Sequence, residues 1–448
     1  MRARTARRAS GRPVNGQDGD VSARQVRPGG GAAGGLTLQP FSGLRFDPGR
    51  AGDLSDVLAP ALDTLSRDDA LRHREAGAFS ILKLVLPREA DPDPLAHHLQ
   101  AGARLRQWRL NGVLRRESTP ALYAYEQQGV NGLQRGLIGA LRLPRDPSAV
   151  LSHEQVDPKV AAQRLSWMQV LGAQIDPVQL TYDGGGAASQ VLRQVVVGRP
   201  AMDVRTMEGT GHRLWPISDP RLIEAVNADL AHCQAMIADG HHRWLAYHRL
   251  HHSLFPGSEA GLALLVDRTC FPLQVRPIHR VLTGVAPTTV ESRLARFARV
   301  TPVPGTGGDP RQVVQVALAA LERAAEHGAA FVVADDTGAH LVTDLPKTLQ
   351  QEAGRPPYAP GADSAVVDLM LARLWPGRAE GSGLLFSHDP LHALAEARRT
   401  GGTAVLLRPA AAAAIQAWAA QNLLMPRKST SFGPKPALGL VLRTLNRT

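Results

Sequence analysis

The chain has 448 residues, 44% of them hydrophobic and only 4% aromatic, which is enough for a sizeable core filled by Leu, Val and Ala in two or three compact units. The net charge is +11, but residues 1–35 and residues 425–448 each carry +5, and the rest of the chain carries only +1. A balanced body argues against a dedicated nucleic-acid-binding protein.

No uninterrupted apolar run approaches the roughly 20 residues of a membrane span, so no membrane partner is expected. The basic start has no apolar segment after it and does not read as a secretory signal. Two cysteines, Cys233 and Cys270, exclude a disulfide framework, and a cytoplasmic location is expected.

Residues 1–35 are rich in Arg, Gly and Ala and read as a disordered tail. Phe79–Leu86 reads as a strand stopped by Pro87. Leu122–Tyr125 and Gly136–Leu141 read as two strands joined at Asn131-Gly132. Asp157-Pro158 caps a helix to Leu171, Val178–Tyr182 is a strand, and Asp219-Pro220 opens a helix to about Cys233. Met236–Ala238 is a short buried strand. Thr301–Asp309 is a Pro/Gly-rich connection, and Asp309-Pro310 starts an amphipathic helix closed by Gly328. Ala330–Ala334 is a strand with a hairpin turn at Asp335–Gly338. Leu384–Phe386, a helix from Asp389-Pro390 to Arg399, and Thr403–Leu407 give a further strand–helix–strand unit. Leu438–Leu442 reads as a last strand. This rhythm predicts an α/β (mixed α+β) fold, with a core over residues 36–300 and an α/β portion over 301–448 that completes the site.

Three segments could carry chemistry, while phosphate-loop, nucleophile-elbow, zinc-protease and dinucleotide fingerprints are absent. In Ile237–Trp244 an apolar strand ends in Asp239-Gly240, and His241, His242 and Arg243 open a helix. Such a turn brings free N–H groups to an anion, and Arg243 could add bidentate contacts. It could equally be a solvated polar turn. His248 and His252 lie on one face of the same helix, four residues apart; no acid or Cys completes a metal set, and they read as a solvated face. Ser152–Pro158 places His153-Glu154 just before a helix, as an acid/base pair or a surface turn. Met425–Pro436 is a basic, hydroxyl-rich loop holding two of only five lysines, Lys428 and Lys435. Its donors would suit an anion.

These blocks resemble the prokaryotic family of unknown function numbered 1015, within the ParB/sulfiredoxin-like superfamily. The marks are Pro40–Arg45, Ala59–Asp63, His153-Glu154, Leu180–Tyr182, Gly211–Trp215, Ala238–Arg243 and Met425–Thr430, covering the chain from Leu36 to Leu445. The chain departs from the family at Ala61-Leu62, at Trp244 and at Gln163-Arg164. The superfamily includes free-serine kinases, sulfiredoxins and ParB proteins. His241 stands where the sulfiredoxin cysteine would fall, and no basic recognition helix accompanies the core, so phosphotransfer fits best.

The resemblance therefore implies a nucleotide-dependent phosphotransferase acting on a small hydroxylated metabolite, with L-serine or phosphoserine first. Its cofactor would be ATP or ADP with Mg²⁺. Gly240, His241, Arg243, Lys428, Ser429 and Thr430 would bind the cofactor, and Asp239, Glu154 and His242 would be catalytic. Asp239 would also hold the metal, and His153, Arg213 and Asp63 would contact substrate. The alternative is a non-catalytic nucleotide- or metabolite-binding regulator; nucleic-acid binding through the Arg-rich tail ranks third. The sequence sets no oligomeric state.

Overall fold

A computed structural model describes residues 35–86, 94–130, 132–324, 328–378 and 383–445. The expected tail and the turn residue Asn131 lie outside the described residues. The fold is mixed α/β, built on two large sheets within one compact unit, Ala33–Thr448.

The first sheet has nine strands. In chain order they are β1 (Leu38–Gln39), β2 (Leu122–Gly129), β3 (Gly132–Arg142), β4 (Val150–Leu151), β5 (Val178–Tyr182), β6 (Met202–Arg205), β7 (Gly211–Ile217), β8 (Ala235–Asp239) and β9 (Ala260–Asp267). Their spatial order is β4-β8-β5-β9-β3-β2-β7-β6, with β1 added on β3. β5 and β9 are buried along their whole length, polar Gln179, Thr181 and Asp267 included, as befits strands in the middle of the sheet. Three helices accompany this sheet: α1 (Pro158–Leu171), α2 (Pro220–Leu230) and α3 (His241–His252). Asp157 and Asp219 cap α1 and α2 through their carboxylates, each with Pro at the first helical position, as their sequences dictate. One face of the sheet packs on Val226 and Leu230 of α2 and on Ala246, Tyr247 and Leu250 of α3. The other face is covered by irregular chain that includes Ala437, Leu440 and Val441.

A short ribbon pairs β10 (Gln274–Pro277) with a strand near the C-terminus, described below. The second sheet has six strands: β11 (His279–Leu282), β12 (Arg299–Pro302), β13 (Phe331–Ala334), β14 (Ala339–Thr343), β15 (Leu384–Ser387) and β16 (Thr403–Leu406). Their order is β12-β14-β13-β16-β11-β15. Helices α4 (Pro310–Arg323) and α6 (Pro390–Thr400) cover one face through Val313, Ala317, Leu321, Ala393, Leu394 and Ala397. Helix α5 (Asp363–Leu374) covers the other through Val366, Val367, Met370 and Leu371. Met236 and Ala238 of β8 join that second core, so the two sheets share apolar packing where β8 ends. The C-terminal strand β17 (Thr430–Gly433) pairs with β10 there, and its Phe432 enters the same core.

Two expected strands are not strands. Within Phe79–Leu86, Leu82–Val85 is a helical turn. Ile81, Leu82 and Leu84 are all buried, and the Lys83 ammonium donates to the Gly77 carbonyl. A short apolar run carries no period that separates a buried strand from a buried helical turn. Leu438–Leu442 makes only isolated bridges, Leu438 to Ala59 and Leu442 to Leu44. Gly439 in the left-handed region, at φ +89°, breaks the extended course. The expected connection from Thr301 begins inside β12.

The C-terminal segment is thus core rather than appendage. Leu442 is fully buried against Leu44, Leu114 and Leu171. Leu442→Ala is expected to lower the unfolding free energy by about 2–5 kcal/mol, read from urea denaturation; a change within error would show that this segment is not part of the cooperative unit.

Candidate functional site

A cleft of about 810 Å³ opens where β8, α1, α3, α5, β15 and the loop before β17 meet. Its floor is a chain of alternating charges. The β8 register shifts between Ile237 and Asp239, which re-aims the end of the strand. Asp239 then accepts from Lys435 Nζ at 2.5 Å on Oδ1 and from Arg243 on Oδ2. Lys435 is 5% exposed and also donates to Asp63, which sits in the one-turn helix Leu62–Thr64. Arg243 continues the chain to Asp176 Oδ1 and to the Pro177 carbonyl.

Burial opposes each of these charges, and the partners decide the outcome. Burial pushes the Asp239 carboxyl up, but Lys435 and Arg243 outweigh it and hold it well below the ordinary range. Burial pulls the Lys435 ammonium down, but Asp239 and Asp63 hold it above its ordinary range. Asp176 differs: burial raises its carboxyl, and Arg243 offsets this only in part.

Above the floor stands the N-terminus of α3. Gly240, at φ +99°, is its N-cap and supplies no side-chain cap. An L-residue there would be strained, and its Cβ would lie 3.0 Å from Arg243 Nε. The first turn of this 12-residue helix therefore presents uncapped amides and a partial positive charge to the cleft. His242 lines the cleft, yet its Nε2 accepts the Asp157 N–H at 3.1 Å. Burial, aided by Lys428 and Arg164, holds its imidazole down at about 4.

The loop Met425–Thr430 forms the opposite lip. Glu154 Oε1 and Oε2 accept the amides of Lys428 (3.0 Å) and Ser429 (3.3 Å), and Met425 N–H donates to the His153 carbonyl at 2.7 Å. Burial raises the Glu154 carboxyl, and these amides pull it only part of the way back. From the second sheet, fully buried Arg280 donates to the Lys428 carbonyl at 3.0 Å. Its Nε and a terminal nitrogen form a bidentate pair with Asp368 of α5, both at 2.9 Å. The Lys428 peptide is gripped at both ends and adopts φ +58°. Lys428 lines the cleft, and its ammonium forms no ion pair among the described residues. Arg164 of α1 is the second such cation: it lines the cleft, lies 5.8 Å over the Trp167 ring and has no ion pair among the described residues.

A family model described as protein of unknown function (DUF1015) matches residues 38–362. The chain belongs to that family. Residues beyond the matched span complete this DUF1015 cleft: Asp368, Phe386, His388 and the loop that carries Lys428 and Lys435. Among solved structures, a free serine kinase in complex with AMP is 14% identical with a TM-score of 0.35, over 65% of this chain and 89% of that one. A conserved hypothetical protein from Pyrococcus furiosus is 13% identical with a TM-score of 0.35, over 65% and 90%. SbnI with C-terminal truncation from Staphylococcus aureus is 11% identical with a TM-score of 0.33, over 65% and 82%. No curated protein matches the chain.

Of the residues singled out from sequence, Asp63, Glu154, Asp239, Gly240, His241, His242, Arg243, Lys428 and Thr430 line this one cleft. Three do not. Arg213 lies on β7 at the far end of the sheet, paired with Asp203 and Glu126. His153 is buried behind the wall, between the rings of His241 (4.6 Å) and Phe432 (5.3 Å), with Nε2 on Thr430 Oγ1 at 2.9 Å. The Ser429 hydroxyl is turned back onto the Pro426 carbonyl at 2.7 Å. The anion reading of the loop also changes, because Glu154 takes two of its amides. Among the described residues no three His, Cys, Asp or Glu side chains converge to hold a metal. A cation at Asp239 would have to displace Lys435 or Arg243. Sequence reasoning missed Arg164, Asp176 and the Arg280–Asp368 pair as site residues. Asp176 and the Arg280–Asp368 pair act through partners distant in sequence, and Arg164 is brought to the cleft by tertiary packing alone, so no local motif marks them.

Burial holds the His153 imidazole down at about 4, against the ordinary 6.5; that of His242 is held as low, and that of His241 well below 6.5. Between those pH values the unfolded chain binds protons that the folded one refuses, so stability falls as pH drops from 6.5 toward 4. The urea midpoint is expected to be lower at pH 5 than at pH 7.5, and His153→Gln should flatten part of that slope. Equal midpoints would contradict the buried-neutral assignment.

Proposed function

We propose that the cleft binds a nucleoside di- or triphosphate and transfers a phosphoryl group to or from a small hydroxylated metabolite, L-serine or phosphoserine first. The observation that carries this reading is the convergence of an uncapped helix end with two cations, Arg164 and Lys428, that form no ion pair among the described residues. Phosphoryl transfer asks for positioning and charge neutralisation more than covalent chemistry. The α3 amides, Arg164 and Lys428 would hold the phosphates, and Mg²⁺ would be carried in by them and neutralise further charge. This division of labour accords with the resemblance to the ParB/sulfiredoxin-like superfamily.

The proton acceptor is assigned by elimination. Asp239 is pinned in its ionised state by two cations and is a weak base. Glu154 and His242 already accept backbone amides. Asp176 lines the cleft, has a raised carboxyl and shares only Oδ1 with Arg243. It is the carboxylate best suited to take the hydroxyl proton, and Asp239 is a positioning residue in this reading.

Calorimetric titration with ATP, ADP and CTP, followed by NMR product analysis with L-serine and phosphoserine, tests the proposal. Arg164→Ala and Lys428→Ala should each weaken nucleotide binding about tenfold. Asp176→Asn should lower turnover by about a hundredfold or more while leaving nucleotide affinity unchanged. Wild-type protein that binds no nucleotide would sink the reading. Binding without turnover would favour the second one, a nucleotide-binding regulator, for which the prior engagement of Asp239, Glu154 and His242 already speaks.

A further inference from the structure

The cleft has a second end, made by the C-terminal half. There Phe386, on the edge strand β15, is 38% exposed although its neighbours in the wall, Leu384 and Ala365, are buried. It stands directly opposite Arg280 in the β11–β15 ladder, so both side chains lie on one face of the sheet. The Arg280 guanidinium sits 5.3 Å from the ring centroid. Arg280 cannot swing away, because Asp368 holds it bidentately and the Ile278 and Lys428 carbonyls accept from it. One face of the ring is therefore backed by a fixed cation, and the ring lines the cleft.

We propose that the open face of Phe386 is the stacking platform for the nucleobase of the phosphate donor. This inference rests on the reading of the other end as a phosphate site. A cation behind an aromatic ring draws electron density from it and favours an electron-rich plane on the open side. Ala365 and Ala372, which line the same cleft, are small and leave room for a flat group. Asp368 at the same wall can accept from an exocyclic amine, and the Tyr358 hydroxyl, which accepts from Gln155 Nε2 at 2.9 Å, can donate to a ring nitrogen. Because Arg280 also holds the Lys428 carbonyl, one side chain fixes the spacing between the base platform and a phosphate-binding cation. A ligand with an aromatic plane at one end and a polyphosphate at the other matches both ends of this cleft.

The test compares ATP with inorganic tripolyphosphate, which carries the anionic part alone, by calorimetry on the full chain. Phe386→Leu keeps apolar volume and removes the π face, and Phe386→Tyr restores it. Phe386→Leu should weaken ATP about tenfold and leave tripolyphosphate within about twofold, and Phe386→Tyr should bind ATP as wild type does. If Phe386→Leu leaves ATP unchanged, or weakens both ligands equally, the platform is wrong while the phosphate site stands. If wild-type protein binds ATP no better than tripolyphosphate, the platform is likewise wrong. If it binds neither, the phosphate reading falls and the platform with it.

Discussion

The site depends on one buried cation. Lys435, from the C-terminal segment, lies between Asp63, near the N-terminus, and Asp239, at the end of β8. An ammonium with almost no access to water is costly unless it is paired. Two carboxylates facing each other without it would be equally costly. The three groups stabilise one another, and Arg243 extends the arrangement to Asp176. Removing the charge from this lysine would leave Asp63 and Asp239 to repel each other beneath the helix end.

The same segment ties the two sheets to one cleft. Glu154, next to the first sheet, accepts the Lys428 amide; Arg280, in the second, donates to the Lys428 carbonyl. Farther on, Arg443 is buried and donates to Gln174 and to the carbonyls of Ala260 and Gly257. Chain that looks like a charged terminus is a clasp. It converts two α/β layers into walls of a common cavity and leaves two cations, Arg164 and Lys428, facing that cavity with no ion pair among the described residues.

Much of the fold was legible in the sequence. Asp-Pro pairs marked the starts of α1, α2, α4 and α6 because an Asp cap and a Pro at the first helical position act locally. The turn at Asp239–Arg243 was legible because a glycine that lets the backbone turn tightly also acts locally. Leu82–Val85 was not, since burial on all sides erases the period that separates strand from helix. The role of the Met425–Thr430 loop was half legible: its basic character was plain, but that Glu154 takes its amides is a contact across more than 270 residues. Arg213 sits in a conspicuous block, Gly211–Trp215, yet its partners are Glu126 and Asp203 on neighbouring strands, so its charge is answered locally. His153 misled in the opposite way, since a His-Glu pair suggests acid/base work and burial makes the imidazole a packing group.

The central claim is that the uncapped first turn of α3 receives phosphate. Amide ¹H–¹⁵N spectra of the full chain, recorded during titration with ATP, test it most directly. The account predicts downfield amide-proton shifts at His241, His242 and Arg243 that saturate together with the binding isotherm. Saturable binding that leaves these three amides unmoved would contradict it.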